Sequence, residues 1–175
     1  YIYDQLLSAY NHTVAQILLT RSDIEQEERK VNFQNTMYRL LELGALPIIN
    51  ENDTVATEEI VFGDNDTLAA IVAIHVKADL LVILSDIEGL FTADPHKDAT
   101  ATLISEVPEI TPEILALAGE KGSELGTGGM ITKLHAAQIS TKAGMDVIIA
   151  NGDHPEILYN ILDGQNIGTR FLGRR

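Results

Sequence analysis

The chain has 175 residues, 45% of them apolar and 22% charged, a composition typical of one globular domain. Its 26 Asp and Glu residues outnumber its 12 Lys and Arg residues, so the formal net charge is −14, and we expect this surface to repel nucleic acids. The absence of cysteine excludes disulfides and cysteine-based metal sites and suits a cytoplasmic protein. The apolar runs are too short to cross a bilayer and the first residues do not form a signal-peptide pattern, so we expect no membrane association.

Short apolar runs alternate with helical patterns, which is typical of an α/β protein built on a largely parallel sheet. In chain order, the predicted elements are a strand at Ala15–Leu19, a helix at Val31–Leu43, strand Leu46–Ile49, helix Asp66–Lys77, strand Leu80–Leu84, helices Thr111–Leu117 and Met130–Ala143, strand Asp146–Ala150, helix Pro155–Leu162 and an extended piece at Thr169–Leu172. The Leu/Val/Ile run Leu80–Leu84 predicts a central strand covered on both faces. The charged stretch Arg21–Lys30 predicts a solvated helix face. No linker is visible, so residues 1–175 are predicted to form one domain.

A glycine-rich segment runs from Gly122 to Lys133, with four glycines in eight residues before a predicted helix. Glycines let backbone N–H groups approach a ligand, and the start of the helix adds the positive end of its dipole. Lys133 adds a full positive charge. The segment matches neither a Walker A motif nor a dinucleotide fingerprint. A phosphate site and a flexible loop that caps a helix are both compatible with this pattern.

An acidic and amide-rich segment covers residues 50–66, with six acidic residues and no Lys or Arg. Carboxylates and amides in this number would bind an ammonium group, or would hold Mg²⁺ directly or through water. Asp64 or Asn65 could equally be the N-cap of the helix that follows, although capping does not account for Asp53.

The pair Ser85 and Asp86 directly follows a predicted strand, where polar side chains can meet a ribose or a phosphate-bound metal. Turn formation is the equal alternative. Ligands of open α/β sheets bind at the carboxyl ends of strands, so we expect chemistry in these three loops. The five histidines have no metal-ligand spacing, and we assign no protein-held metal site. Ser140 is predicted on the exposed side of a helix without a partner base, so serine hydrolase chemistry is unsupported.

Four segments together resemble the glutamate-phosphorylating members of the amino acid kinase family, and they occur in the family's order. They are Leu46–Asp53, Gly63–Asp66, Leu84–Pro95 and Gly126–Lys133. The resemblance extends from about Tyr3 to Leu172. It implies a three-layer αβα sandwich with a mainly parallel central sheet, and ATP-dependent phosphorylation of the γ-carboxylate of L-glutamate to glutamyl 5-phosphate for proline biosynthesis. It also implies Mg²⁺ with the ATP, feedback inhibition by proline and a homo-oligomer.

The resemblance also implies roles for individual residues. Glutamate would be held by Asp53, Asp64 and Asn65, with Asn50 as a neighbour. The nucleotide would be contacted by Ser85 and Asp86 and by the phosphate loop, which comprises Thr127, Gly128, Gly129, Met130, Ile131, Thr132 and Lys133. Lys133 would stabilise charge on the transferred phosphoryl group. Asp66 would orient the catalytic lysines rather than act as a base, because a γ-carboxylate is already ionised.

This sequence departs from the family pattern in two places. A Gly-rich loop with a second catalytic lysine and a later Ser-Gly-Ala segment for glutamate are both missing, so the kinase domain is expected to be incomplete at its N-terminus. The C-terminal PUA domain of many relatives is missing too. We therefore expect these 175 residues alone to be impaired or inactive. The alternatives are a family member acting on aspartate, acetylglutamate or uridylate, and a non-catalytic nucleotide-binding fragment.

Overall fold

The computed structural model describes residues 2–55, 64–95, 97–118 and 129–174. The chain divides into two compact units, an N-terminal unit (Tyr1–Leu68) and a C-terminal unit (Ala69–Arg175). The helices are α1 (Ile2–Ser8), α2 (Arg21–Glu25), α3 (Glu27–Glu42), α4 (Asn65–His75), α5 (Pro112–Ala116), α6 (Met130–Lys142) and α7 (Ile157–Leu162). The strands are β1 (Val14–Leu19), β2 (Leu46–Glu51), β3 (Leu80–Ser85), β4 (Glu106–Val107), β5 (Asp146–Asn151) and β6 (Thr169–Phe171). None of the helices in these described ranges is long and apolar enough to cross a membrane.

The N-terminal unit contains a parallel pair of strands connected through α2 and α3. Strands β1 and β2 pair in register from Val14 opposite Leu46 to Leu19 opposite Glu51. Phe33 and Met37 are the buried residues of α3 and stand one turn apart, so a single apolar face of this charged helix is buried. The helix ends as predicted before Gly44, whose φ of +70° favours glycine.

The charged stretch after β1 is helical, as predicted, but it forms two helices. Gln26 has extended backbone angles (φ −84°, ψ 120°) and separates α2 from α3. The carboxylate of Asp23 accepts hydrogen bonds from the Thr20 backbone N–H at 2.8 Å and from the Thr20 hydroxyl at 2.6 Å. Arg29 donates to the other oxygen of Asp23 at 3.1 Å. A local carboxylate therefore starts α2 and connects it to α3.

Asp23 is expected to make stability depend on pH. Burial is the largest influence and acts to raise its pKa, but the hydrogen bonds from Thr20 and Arg29 together hold the pKa below its ordinary value of 3.8. The stabilisation is therefore complete well above pH 3.8 and is lost as the pH falls through the lower, folded-state pKa. Asp23→Asn should lower the free energy of unfolding by about 0.5–2 kcal/mol at pH 7.

Urea unfolding at several pH values checks this expectation. The difference in unfolding free energy between the parent and Asp23→Asn should narrow as the pH falls below 3.8, the ordinary pKa of the Asp23 carboxyl. Glu25→Gln, which removes only an exposed ion pair with Arg21, should cost about 0.5 kcal/mol or less. A gap for Asp23→Asn that stays constant down to strongly acid pH would contradict the pKa argument.

The C-terminal unit is a four-stranded sheet in the order β3-β5-β6-β4. Strands β3 and β5 are parallel, β4 and β6 are parallel, and β5 and β6 are antiparallel. The mainly parallel sheet is thus confirmed. Among the described strands, however, β5 and β6 occupy the interior of this sheet, and β3, which was predicted to be central, lies at its edge. The antiparallel β6 and the two-residue β4 were not foreseen as members of the sheet.

Helices cover both faces of this sheet. On one face, Leu81, Ile83, Val147 and Ile149 pack in one core with residues of α4 and α6, among them Ala70, Ala73, Leu134 and Ala137. On the other face, Ile148 and Ala150 pack with Ile161 of α7. Because side chains alternate along a strand, these two sets point to opposite sides. The C-terminal unit therefore has the expected αβα layers.

The expectation for Ser140 was wrong. Its side chain is completely buried, and its hydroxyl has no hydrogen-bond partner among the described residues. Helix α6 buries Leu134, Ala136, Ala137, Ser140 and Thr141. Several of these residues are small, so large apolar side chains do not mark the buried face of α6. The hydrophobic pattern therefore predicted the wrong face as buried.

Thr169 connects β6 to two loops inside the C-terminal unit. Its hydroxyl accepts from the Leu90 N–H at 2.8 Å and donates to the Ile104 carbonyl at 2.6 Å. The residue is completely buried. Gly89 lies so close that a Cβ there would be 2.6 Å from the Thr169 hydroxyl oxygen. The Thr169 hydroxyl thereby links the segment that follows β3 to β6 and to the Ile104 loop.

Candidate functional site

Polar residues follow the two parallel strands of the C-terminal unit at their carboxyl ends. Ser85, the last residue of β3, lies opposite Asn151, the last residue of β5. The Ser85 hydroxyl donates to the Asp86 carboxylate at 3.1 Å, and the Gly152 N–H donates to the Ser85 carbonyl at 2.7 Å. Ser85 is half-buried and Asp86 is exposed. A polar edge with a hydroxyl, a carboxylate and an amide is therefore formed where α/β proteins bind ligands.

The lengths and packing of α6 and β5 indicate that α6 starts near this same edge. Helix α6 has 13 residues and packs on β5, to which a short turn at Ala143–Met145 joins it. A helix of this length spans about 20 Å, about the same as a six-residue strand. Since α6 runs back along β5, its first turn lies near the carboxyl end of that strand. We therefore expect Lys133, in that first turn, to lie at the edge that carries Ser85 and Asp86.

The first turn of α6 is suited to an anion. It contains no acidic residue, and its N-cap, Gly129, offers no side-chain cap. The Thr132 hydroxyl donates to the Gly129 carbonyl at 2.9 Å, so it does not cap the helix N–H groups. The first N–H groups of a helix have no partner within it and carry the positive end of its dipole. Half-buried Lys133 adds a positive charge in this same turn.

Gly129 is not explained by local packing. Its φ of −67° suits any residue, and a Cβ there would meet no atom of the described chain within 4 Å. Neither backbone strain nor crowding by the described residues therefore requires glycine. Close approach of a phosphate to the backbone would require it. This observation fits the nucleotide phosphates that the family resemblance implies at Gly129 to Lys133.

The residues predicted to bind the substrate glutamate lie in the N-terminal unit. Asn50 is the fifth residue of β2, and its side-chain carbonyl accepts from the Glu51 N–H at 2.8 Å. Beyond the strand, the Asn52 N–H donates to the Leu19 carbonyl at 2.8 Å, and Thr54 donates to the Asn52 side chain at 2.6 Å. Asp53, between them, is exposed. The turn after β2 therefore holds its amides in place and leaves Asp53 accessible to solvent.

Asp64 caps α4, one of the two roles foreseen for it or for Asn65. Its carboxylate accepts from the Thr67 N–H at 2.6 Å and from the Thr67 hydroxyl at 3.0 Å. Asn65 is exposed in the first turn, and Asp66 is half-buried beside it. The capping role is confirmed. The glutamate-binding role of Asp64 and Asn65 stays a prediction, as does the orienting role of Asp66.

Several predicted residues lie outside the described ranges, namely Thr127 and Gly128 of the phosphate loop and residues 56–63 of the acidic segment. Two residues at the carboxyl edge, Asn151 and Gly152, were not proposed from the sequence. The signal was available, because they follow β5 as Ser85 and Asp86 follow β3. An Asn-Gly pair by itself is equally typical of a turn.

The fit of a divalent cation depends on the phosphates. Within the ranges that the structure describes, no group of three or more His, Asp or Glu residues could hold a metal ion. Mg²⁺ commonly keeps several waters and is bound through substrate phosphates with one or two carboxylates. Asp86 at the carboxyl edge offers one such carboxylate. The residues present therefore fit Mg²⁺ that arrives with a nucleotide.

Comparison with known proteins identifies the family. The model of the amino acid kinase family matches residues 1–151. The chain belongs to the amino acid kinase family. The phosphate-loop residues from Gly129 to Lys133 are inside the matched range, as are the residues of the acidic segment.

Three similar members of the amino acid kinase family share the name Glutamate 5-kinase. The protein of Clostridium perfringens is 50% identical over 179 residues, covering 100% of this chain and 66% of its own length. That of Deinococcus radiodurans is 53% identical over 172 residues, covering 98% of this chain and 47% of its own length. That of Clostridium acetobutylicum is 51% identical over 170 residues, covering 97% and 64%. The chain thus spans 47–66% of the length of these relatives.

Solved structures of similar fold include two other kinases. The isopentenyl phosphate kinase of T. acidophilum, in a product complex, superposes with a TM-score of 0.66 at 18% identity, covering 95% of this chain and 63% of that chain. UMP kinase of Bacillus anthracis gives 0.64 at 14% identity, covering 99% and 64%. At such low identity the likeness concerns the fold alone. It confirms the mixed α/β architecture with mostly parallel strands.

Proposed function

We propose that this chain carries the nucleotide site and part of the amino-acid site of a kinase that phosphorylates the γ-carboxylate of L-glutamate with ATP. The observation that carries the proposal is its 50–53% identity, over nearly its whole length, with relatives named Glutamate 5-kinase. The carboxyl edge of the C-terminal unit supports the nucleotide half of the proposal. The exposed Asp53 and the amides around it support the amino-acid half.

The proposed reaction transfers one phosphoryl group between two oxygens. A γ-carboxylate oxygen of glutamate forms a bond to the γ-phosphorus of ATP, the bond from that phosphorus to the bridging oxygen breaks, and ADP leaves. No proton has to be removed from the acceptor, so no general base is needed. Such transfers depend on positioning and on neutralising the charge of the phosphoryl oxygens.

Charge distribution agrees with these demands. A protein of net charge −14 can bind two anionic substrates only where its cations are concentrated. Lys133 and the first turn of α6 supply positive charge at the carboxyl edge. Arg170 is engaged elsewhere, in an ion pair with Asp146 at the start of β5. Asp53 would attract the ammonium group of glutamate. The proposal also includes Mg²⁺ bound with the phosphates, inhibition by proline and formation of a homo-oligomer. These three parts rest on the family resemblance alone.

Ligand-induced stabilisation tests the choice of substrate, since it reports binding without requiring turnover. With Mg·AMP-PNP present throughout, L-glutamate should raise the melting temperature. At a hundredfold excess over its dissociation constant the gain is about 2.7 kcal/mol, which amounts to several degrees. L-Aspartate, N-acetyl-L-glutamate and UMP should give smaller shifts.

A pair of variants makes this test specific. Asp53→Ala should abolish the shift with L-glutamate and keep the shift with Mg·AMP-PNP. Glu42→Ala, which removes an exposed carboxylate of α3, should keep both. A larger shift with UMP, L-aspartate or N-acetyl-L-glutamate would assign another acceptor. A melting-temperature shift with Mg·AMP-PNP but with none of the acceptors would show that the chain is a non-catalytic nucleotide-binding module.

A further inference from the structure

The loop after β5 lies directly against the end of β3. Gly152 donates its N–H to the carbonyl of Ser85 at 2.7 Å, and the preceding residue, Asn151, is paired with Ser85 across the two strands. The Asn151 side chain accepts from the Asp153 N–H at 2.7 Å and so fixes the loop on the other side of the glycine. The position of Ser85 is therefore set by Gly152 as well as by the sheet.

Gly152 is favoured by limited space and not by backbone conformation. It is not among the glycines with positive φ. A Cβ at this position would lie 3.0 Å from the Leu84 Cβ and 3.5 Å from the Ser85 carbonyl oxygen. A Cβ is fixed to its backbone and cannot rotate away, and the Leu84 Cβ is equally fixed. A side chain at residue 152 would therefore require the end of β3 or the loop to shift by a few tenths of an ångström, which would disturb the hydrogen bond to Ser85.

We infer that Gly152 is a positioning residue for nucleotide binding, because it holds Ser85 and the adjoining Asp86 where they meet the nucleotide. The inference rests on the proposed function, which assigns the nucleotide to this edge. It adds a residue outside the segments that carry the kinase resemblance. Gly152 itself need not touch the nucleotide, since it acts through the backbone of β3.

Alanine substitutions at two glycines separate positioning from stability. Gly152→Ala should weaken the binding of Mg·AMP-PNP to the 175-residue chain about tenfold, the equivalent of one hydrogen bond to a charged group. Gly164→Ala is the matched control: its φ of +81° makes alanine strained, but a Cβ there meets nothing within 4 Å. This variant, at the far end of α7, should lower the melting temperature and leave the dissociation constant within about twofold of the parent value.

Amide exchange of the unsubstituted chain gives a second readout that does not depend on a variant folding. Mg·AMP-PNP should slow exchange of the Gly152 amide several-fold. It should not slow exchange of the Gly164 amide, which donates to the Ile161 carbonyl at 3.0 Å. Equal nucleotide affinity of Gly152→Ala and parent, or no change at the Gly152 amide, overturns the inference alone. Failure of the parent to bind Mg·AMP-PNP overturns the proposed function and this inference together.

Discussion

Replacing Lys133 by Met is expected to weaken the binding of Mg·AMP-PNP about 10- to 100-fold, which corresponds to a charge-assisted hydrogen bond of about 1.5–3 kcal/mol. Methionine keeps the helix propensity and the apolar stem of lysine and removes only the charge. The loss should be large because Lys133 stands in the first turn of α6, where the positive end of the helix dipole adds to its charge. Isothermal titration at constant ionic strength measures the change.

Lys142→Met provides the control within the same helix. Lys142 lies in the last turn of α6, at the opposite end from the carboxyl edge, so its removal should alter nucleotide affinity by about twofold or less. Raising the salt concentration should weaken nucleotide binding by the parent more than by Lys133→Met, because added ions screen the Lys133 charge, which the variant lacks. Equal losses in the two lysine variants would mean that net charge, and not the place of Lys133, governs affinity.

Thr169→Val is expected to lower the free energy of unfolding by about 2–4 kcal/mol. Valine has nearly the same shape, but it leaves the Leu90 N–H and the Ile104 carbonyl without the hydroxyl that joins them. Leaving a buried backbone group unpaired costs about 1–3 kcal/mol, and two are affected. Chemical denaturation gives the value directly.

The same substitution at Thr36 is the matched control. Thr36 is exposed on α3, and its hydroxyl donates to the Asn32 carbonyl one turn earlier. Its replacement by Val should change stability by about 0.5 kcal/mol or less. Thr169→Ser retains both hydrogen bonds and should recover most of the loss. If Thr169→Val costs no more than Thr36→Val, the hydroxyl does not connect the loops to the core as described.

Local rules anticipated much of the fold because they depend on neighbouring residues. The helix predicted from Thr111 is present as α5, which Thr111 caps by accepting from the Ile114 N–H, with Pro112 in the first turn. Gly144, with a φ of +91°, ends α6 in the same predictable way. The buried run at β3 and the apolar run at β5 were likewise recognisable as strands. Each signal is contained in a few consecutive residues.

Features that depend on distant residues were not predictable. Strand β4 has two residues, too few for any period, and exists because β6 pairs with it. The direction of β6 is set by its pairing with β5 and not by its own sequence.

The candidate site follows the same division. The local sequence pattern predicted Asp64 or Asn65 as a helix cap. It also predicted that Ser85 and Asp86 stand at the end of a strand. The contribution of Gly152 depends on the distance to Leu84, a residue 68 positions earlier, which no local pattern contains.

A crystal structure of the chain with Mg·AMP-PNP and L-glutamate tests the central claim most directly. Binding of the nucleotide at the first turn of α6 predicts a phosphate oxygen about 3 Å from the Lys133 Nζ, with Ser85 or Asp86 in contact with the same nucleotide. A nucleotide bound at any other place, with Lys133 touching none of its phosphates, would contradict the account.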